Sequence, residues 1–221
     1  MEGIVIKSID YKEKSKLIYL YTPEGMKSVK AIDANKTKLG FITTLNHVEF
    51  EHSAGKLPTV LEYSIKKSFY HLYEDISKIQ MIMPIIDVIQ NIEEEAPHAR
   101  IFSFVRETLD ALETMDSPKF VLSIFLLKML SVFGVRPALN DCVLCGNKTI
   151  VNFSIPQGGA LCDKCSFYNE KAYALFQDFK ELYYGKGFAV VSLNSSLDTI
   201  LEQVYNYYLI HVNLRLKSYK I

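Results

Sequence analysis

Four cysteines stand in two closely spaced pairs, an arrangement suited to holding a metal ion. Cys142 and Cys145 form one C-x2-C pair, Cys162 and Cys165 form another, and sixteen residues separate the two. Two intervening residues let both thiolates of a pair point at one ion, and Gly146 allows the backbone to curl behind the first pair. The spacing predicts one tetrahedral Zn²⁺ site. Four thiolates leave no open coordination position, so we expect a structural ion and not a catalytic one.

Two other uses of the cysteines compete with metal binding. Disulfides require an oxidising compartment. The N-terminal segment MEGIVIKSID lacks the basic and apolar regions of a signal peptide, and no apolar stretch approaches the length of a membrane span. We therefore expect a cytoplasmic protein that does not enter membranes. The second alternative is that the cysteines are buried thiols without a chemical role. Such thiols have no reason to fall in two C-x2-C pairs.

No catalytic constellation in the sequence is convincing. His47-Val48-Glu49 matches the H-x-E element of zinc deaminases, but Asp141 stands where that signature has a proline before the cysteine pair. A solvent-facing histidine on a strand is the expected interpretation. Neither a phosphate-binding glycine loop nor a serine nucleophile motif occurs. The sequence predicts a protein that is not an enzyme.

The cysteine pairs need a short hairpin between them, and the sequence supplies one. Residues 152–155 and 160–161 suit strands, and Pro156-Gln157-Gly158-Gly159 suits a turn. About five more short strands with β-branched, aromatic or alternating residues lie in the first 75 residues, broken by turns such as Thr22-Pro23-Glu24-Gly25. So many short strands in so few residues predict a small closed barrel of the OB-fold type, which often binds oligonucleotides.

The remainder of the chain is predicted to be helical. Apolar residues recur at helical spacing between 77 and 133, and the segment 119–133 is apolar nearly all round, as in a helix at the centre of a bundle. Pro84 is expected to separate or kink the helix over 79–92. Further helices are expected over 172–184 and 197–216. The predicted fold is α+β and multidomain, with the domains 1–76 (OB-fold barrel), 77–140 with 172–221 (helical bundle), and 141–171 (inserted zinc ribbon).

Charge is unevenly distributed in this neutral chain of 25 basic and 25 acidic residues. Residues 1–40 hold eight lysines and five acids, a balance of +3. Lysines on a barrel can make salt-dependent phosphate contacts, although a merely solvated strand face is the competing explanation. The candidates for DNA binding, taken as a group, are Lys7, Lys14, Lys16, Lys30, Lys36 and Lys38. Tyr11, Tyr19, Tyr21 and Phe41 either stack on bases or pack in the barrel core.

Over nearly its full length the chain resembles the bacterial DNA repair protein RecO family. Four segments carry the resemblance: the opening strands with Thr22-Pro23-Glu24-Gly25; Leu126–Leu130 through Gly134–Leu139 to Cys142; Phe153-Ser154 through Gly158–Leu161 to Cys162; and Tyr207-Tyr208 to Lys217-Ser218. The second and third are the specific ones. One departure is Asp33, in 30–38, where much of the family has a Gly-Ala-Arg-Arg-like basic segment.

The resemblance implies a recombination mediator without nucleotide hydrolysis. Such proteins bind single- and double-stranded DNA, anneal complementary strands, and bind the C-terminal tail of the single-strand binding protein SSB. With RecR, and often RecF, they help load RecA onto SSB-coated DNA, which implies association with the nucleoid during repair. A basic residue should read the terminal carboxylate of the SSB tail, and the candidates are Arg106, Lys128 and Arg136.

One alternative function remains open at this point. Zero net charge and Asp33 favour a zinc-ribbon scaffold that binds proteins only and never contacts nucleic acid. The full-length resemblance favours the mediator. The two are separated by whether the purified protein binds an oligonucleotide.

Overall fold

The computed structural model describes residues 1–33 and 39–217, and packing divides the chain into two compact units. The first unit consists of residues 1–79 and 89–114, and the second of residues 80–88 and 115–221. Each unit is described by itself below. None of the helices in the described part of the chain is long and apolar enough to cross a membrane.

The first unit is built on a five-stranded antiparallel sheet. Its strands are β1 (Glu2–Tyr11), β2 (Ser15–Thr22), β3 (Gly25–Ile32), β4 (Asn46–His52) and β5 (Val60–Ser68), and their order is β3-β2-β1-β4-β5. The backbone N–H of Lys30 donates to the carbonyl of Pro58 at 2.7 Å, and a parallel bridge joins Lys30 to Thr59. This contact brings β3 to the start of β5 and closes the sheet into the predicted OB-fold barrel.

Alternation of side chains explains the barrel interior. The buried set of the interior is Val5, Ile18, Leu20, Val29, Ala31, Val48, Phe50 and Val60. Positions two apart on a strand share one face, so Ile18 and Leu20 point inward together. On β1 the register shifts between Val5 and Lys7, and this bulge lets three consecutive residues, Ile4 to Ile6, all be buried.

Helical segments complete the first unit. They are α1 (Leu39–Ile42), a 3₁₀ turn (Tyr70–Glu74) and α3 (His98–Thr114). Helix α3 packs against the sheet, where the Tyr21 hydroxyl lies 3.1 Å from His98 Nδ1 and the His47 and Phe102 rings are 5.8 Å apart. The sequence had placed α3 in the helical domain. The three domain ranges remain predictions, because packing alone does not define which segments fold independently.

Helix α2 (Ile76–Gln90) contributes residues to both units and continues through Pro84. Of the two effects predicted for this proline, separation of the helix is therefore wrong, and a kink stays a prediction. A proline removes one backbone hydrogen bond from a helix, but it does not end the helix when apolar neighbours hold it. Ile82, Ile85, Val88 and Ile89 are all buried.

The second unit surrounds one central helix. Its elements are α4 (Pro118–Met129), β6 (Ile150–Ser154), β7 (Gly159–Cys162), α5 (Glu170–Tyr184), α6 (Leu197–Tyr207) and a π-helical turn (Tyr208–Val212). Helix α4 is buried on all sides, with even Ser123 inaccessible, as its continuous apolar sequence predicted. The antiparallel pair β6 and β7 forms the predicted hairpin.

Polar side chains fix the ends of the helices in the second unit. Asn169 caps α5 by accepting from the Ala172 N–H at 2.9 Å. The fully buried Asp178 accepts hydrogen bonds from the backbone N–H groups of Asn194 and Ser195, both at 2.7 Å, and so holds the loop that leads into α6. The last helix ends earlier than predicted, because the chain changes to the π-helical turn after Tyr207 instead of continuing to 216.

Candidate metal centre and nucleic-acid interface

The four cysteine sulfurs converge at one end of the β6–β7 hairpin. Their ligand atoms all lie within 4.8 Å of one another. Each pair forms a tight knuckle: the Gly146 N–H donates to the Cys142 carbonyl at 2.8 Å, and the Ser166 N–H donates to the Cys162 carbonyl at 2.9 Å. Gly146 has a φ of +74°, in the left-handed region that favours glycine, which fits the role expected of it.

The sulfur geometry suits a tetrahedral ion. Cys145 Sγ lies 3.4 Å from Cys162 Sγ and 3.5 Å from Cys165 Sγ. A tetrahedron with metal–sulfur distances of ~2.3 Å has sulfurs about 3.8 Å apart, whereas a disulfide would need about 2.05 Å. The cluster therefore fits one metal ion by its donor set and shape.

The thiols of the cluster differ in their acidity. Burial opposes ionisation of Cys142, but backbone N–H groups from Cys162, Leu144 and Cys145 outweigh it and lower its pKa to about 6. The hydrogen bond with Cys145 is the largest of several contacts with the other cysteines that raise the pKa of Cys165 to about 12. Four neighbouring thiols do not all become thiolates without positive charge among them, and a divalent ion supplies it.

Apolar packing holds one side of the metal centre. Cys142 and Cys162 are buried together with Leu161, and Ile150 packs against them, whereas Cys145 is exposed. One face of the cluster is therefore shielded from water by the hairpin, and the opposite face is open to solvent.

The other end of the hairpin is fixed by the last helical turn. Tyr207 Oη donates to the Gly158 carbonyl at 3.2 Å, and His211 Nε2 donates to the Ile155 carbonyl at 2.7 Å. The Tyr207 and His211 rings lie 4.3 Å apart. Gly159 leaves room for a backbone contact, since a Cβ there would lie 2.6 Å from the Ala138 carbonyl. The hairpin turn is thus attached by contacts that involve no metal.

The outer face of β1, β2 and β3 presents an aromatic residue between lysines. Tyr19 pairs directly with Lys7 across β1 and β2, and Lys30 pairs with Leu17 two positions along β2. These positions alternate with the buried Ile18, so they point away from the barrel interior. Tyr19 is half-buried and Lys7 is exposed, so a base can reach the ring and a phosphate can reach the ammonium group.

The structure distinguishes among the predicted aromatic residues. Tyr11 lies half-buried on the same outer face, opposite Ser15. Tyr21 is fully buried, and burial raises the pKa of its hydroxyl, so it belongs to the core and does not stack on bases. The side chain of Phe41 lies outside the described residues. Leu17 lies two residues before Tyr19 on β2 and therefore on the same outer face.

The six predicted DNA-binding lysines fall into four situations. Lys7 and Lys30 flank the outer face of the three strands, and Lys14 is exposed in the turn between β1 and β2. Lys16 is engaged in an ion pair with Asp10 at 2.7 Å. Lys36 and Lys38 lie outside the described residues.

Acidic residues mark a different part of the barrel. Glu49, Glu51 and Glu62 line a cavity of about 300 Å³ at β4 and β5, beside Tyr63. The Lys66 ammonium group donates to Glu49 at 2.8 Å and lowers the pKa of that carboxyl. Glu51 and Glu62 have no ion pair among the described residues, so this cavity disfavours phosphate, although β5 also carries Lys66 and Lys67.

His47 has a structural role in the barrel unit. Its Nε2 lies 2.9 Å from Glu2 Oε2, and its ring is covered by Phe102 of α3. The expectation that His47 faces solvent is therefore wrong, because α3 covers this strand. The H-x-E match to zinc deaminases gains no support from the structure, since His47 contacts the Glu2 carboxylate.

The three candidates for reading a peptide carboxylate differ in their surroundings. Arg106, on α3 of the first unit, lines a cavity of about 340 Å³ whose other charged residues are Lys66, Lys67, Glu2 and Asp110. Lys128 Nζ donates to the Gly185 carbonyl at 2.6 Å, and burial lowers the pKa of its ammonium group.

Arg136 differs from the other two candidates in its exposure. It is exposed in the second unit and has no ion pair with any residue that the structure describes. An exposed guanidinium without a carboxylate partner can donate two parallel hydrogen bonds to a peptide carboxylate at little cost.

The barrel and the metal hairpin together define a class: an OB-fold protein that carries a four-cysteine ribbon within its helical part. Comparison with known families identifies the family within this class. The family model described as recombination protein O C terminal matches residues 73–220. The chain belongs to the recombination protein O (RecO) family.

Similar proteins extend the match into the barrel. DNA repair protein RecO of Halalkalibacterium halodurans is 29% identical over 235 aligned positions, which cover 98% of this chain and 91% of that protein. DNA repair protein RecO of Bacillus mycoides is 31% identical over 172 positions, covering 74% of this chain and 69% of that protein. Family membership confirms the resemblance expected from the sequence and places the chain among DNA repair and recombination proteins.

Proposed function

We propose that the protein is a non-enzymatic recombination mediator that binds single- and double-stranded DNA and anneals complementary strands. With RecR, and in many cases RecF, it loads RecA onto SSB-coated single-stranded DNA. It acts in the cytoplasm, at the nucleoid during repair. The observation that carries this proposal is the outer barrel face, where Tyr19 lies between Lys7 and Lys30.

This face suits unpaired DNA for a physical reason. A ring such as that of Tyr19 stacks on any base whose face is free, and each stacked base contributes about 1–3 kcal/mol. Paired bases in a duplex hide their faces, so duplex binding rests on the lysines alone. The carboxylates of Glu51 and Glu62 disfavour phosphate at the cavity beside β4 and β5.

The metal supports the ribbon and takes no part in chemistry. We assign Zn²⁺, one ion bound by Cys142, Cys145, Cys162 and Cys165, because four thiolates suit zinc and close its coordination shell. The SSB tail, an acidic peptide, is assigned to the second unit through Arg136, the exposed guanidinium among the three candidates.

Fluorescence anisotropy of a labelled single-stranded oligonucleotide, titrated at several salt concentrations, tests this proposal. Tyr19→Ala should weaken single-strand binding by about 10- to 100-fold while changing duplex binding far less. Replacing Lys7 and Lys30 with alanine should reduce the log–log salt slope by about 1.4, that is, about 0.7 for each lysine. Lys16→Ala is the matched control, because Asp10 already neutralises this lysine.

Two results would contradict this proposal. If the wild-type protein does not bind the oligonucleotide at low salt, the mediator function is wrong and a protein-binding scaffold takes its place. If Lys16→Ala changes the slope as much as Lys7 and Lys30 together, the face assigned here is not the one that meets DNA.

A further inference from the structure

Solvent reaches the four cysteines of the metal centre to different extents. Cys145 is exposed and Cys165 is half-buried, whereas Cys142 and Cys162 are buried. The first knuckle is open around Cys145, since a Cβ placed on Gly146 would have no neighbour within 4 Å among the described residues. Burial makes a cysteine inert, and exposure makes its thiolate available to reagents. A small molecule dissolved in water therefore meets the sulfur of Cys145 before the other three.

Two other sulfurs lie close enough to Cys145 to bond with it. Cys145 Sγ is 3.5 Å from Cys165 Sγ and 3.4 Å from Cys162 Sγ. A disulfide bond of about 2.05 Å needs either pair to approach by about 1.4 Å. Cys162 is fully buried at the end of β7, where it pairs with Ile150 of β6. Cys165 follows the strand and is partly accessible, so it has the greater freedom to move towards Cys145.

The net charge of the metal centre favours a neutral oxidant. Four thiolates bound to one divalent ion carry a charge of about −2, which repels anions. A hydroperoxide is small and uncharged, and it oxidises a thiolate by two electrons to a sulfenic acid. Zn²⁺ has no redox chemistry of its own, so the sulfurs supply both electrons. An exposed thiolate with a second sulfur beside it is typical of redox-sensing cysteines.

We infer that the four-cysteine centre is a peroxide-sensitive switch, in which Cys145 is oxidised first and Cys165 forms a disulfide with it. The Cys145 thiolate attacks one oxygen of hydrogen peroxide, the O–O bond breaks, and Cys145 becomes a sulfenic acid while hydroxide leaves. The Cys165 thiolate then attacks Cys145 Sγ, the S–O bond breaks, and a second hydroxide leaves. Two protons from solvent convert both hydroxides to water. Two thiolates thereby lose two electrons in all, and one peroxide is reduced to two waters.

Disulfide formation releases the ion but leaves the hairpin attached. The ion loses two of its four ligands, and the remaining pair, Cys142 and Cys162, cannot hold it tightly. The turn end of the hairpin keeps its contacts with Tyr207 and His211, which involve no sulfur. The switch therefore opens only the cysteine end of the ribbon, and a thiol reductant with fresh Zn²⁺ should restore it. This inference rests on the metal site of the proposed function and not on its DNA-binding part.

Hydrogen peroxide added to the full-length, zinc-loaded protein tests the switch. Peroxide should release the bound Zn²⁺, measured with a chromophoric chelator, and mass spectrometry after alkylation of the free thiols should find the Cys145–Cys165 disulfide. Cys145→His keeps a zinc ligand but removes the exposed thiol, so this variant should retain its ion under the same treatment. Cys165→His is the matched control, with the same replacement in the other knuckle. It should keep Cys145 as a sulfenic acid, which dimedone traps.

Four results would overturn the inference. They are purified protein that contains no metal, an ion that stays bound after peroxide, a first disulfide that does not join Cys145 to Cys165, and a Cys145→His variant that loses its ion as readily as the wild type. The first result would also remove the metal from the proposed function, whereas the other three would leave the metal site standing. The disulfide map of the wild type remains informative even if the histidine variants bind no Zn²⁺. The test uses no DNA, so a failure of the DNA-binding proposal leaves its outcome unchanged.

Discussion

Replacing Tyr208 with phenylalanine should make the protein less stable near neutral pH and relatively more stable in strong alkali. Tyr208 is completely buried in the second unit, and its hydroxyl donates to the Leu126 carbonyl of α4 at 2.9 Å. Loss of this hydrogen bond should cost about 1 kcal/mol at pH 8. The carbonyl keeps a second donor, the Leu130 N–H at 3.3 Å, so the cost should stay at this modest level.

The alkaline effect has the opposite sign. Burial raises the pKa of the Tyr208 hydroxyl well above its ordinary value. The unfolded chain loses this proton near pH ~10 while the folded chain keeps it, so stability is fully present below pH ~10 and falls as pH rises further. One such group lowers the free energy of unfolding by about 1.4 kcal/mol per pH unit. Tyr208→Phe removes this loss, so the two stability curves should cross near pH ~10.7.

Urea denaturation followed by circular dichroism, from pH 8 to pH 11, measures the difference between the two proteins. Other titrating groups are common to both and cancel. Tyr168→Phe is the control, because its exposed hydroxyl makes no hydrogen bond within the described residues, and its curve should follow that of the wild type. Parallel curves for Tyr208→Phe and wild type up to pH 11 would refute the buried, protonated state of Tyr208.

Three further outcomes are expected. Removal of the metal by a strong chelator should release one equivalent of ion by elemental analysis and open residues 141–169 to protease, with the barrel cleaved no faster than before. Asp178→Ala should lower the free energy of unfolding by about 3 kcal/mol in urea denaturation, because a buried carboxylate with three hydrogen bonds is lost. In anisotropy titrations with an SSB-tail peptide, Arg136→Ala should weaken binding by about tenfold. Lys128→Met should leave it unchanged, since Lys128 is already committed to the Gly185 carbonyl, and equal losses would contradict this distinction.

Local patterns predicted the metal hairpin and the barrel well. The cysteine spacing and Pro156–Gly159 specify a hairpin between two knuckles by short-range geometry alone, and the structure has it. The apolar run of α4 likewise predicted a central helix, because a helix that is apolar all round has no face to give to water.

Features that depend on packing between segments far apart in the chain could not be predicted from the sequence. Alternation places Tyr19 and Tyr21 on one face of β2, but only the position of α3 decides that Tyr21 is covered. The same helix covers His47, which alternation alone would leave to solvent. The end of the last helix was missed because Tyr208 to Val212 keep a helical composition while adopting the π-helical turn.

The attachment of the hairpin turn has an evolutionary consequence. Tyr207 and His211 hold the carbonyls of Gly158 and Ile155 at the end of the hairpin remote from the sulfurs. A lineage could therefore lose its cysteines one after another without detaching this segment from the rest of the chain. The metal then stabilises only the cysteine end of the hairpin. The turn end, which Tyr207 and His211 hold, is the part that selection must retain.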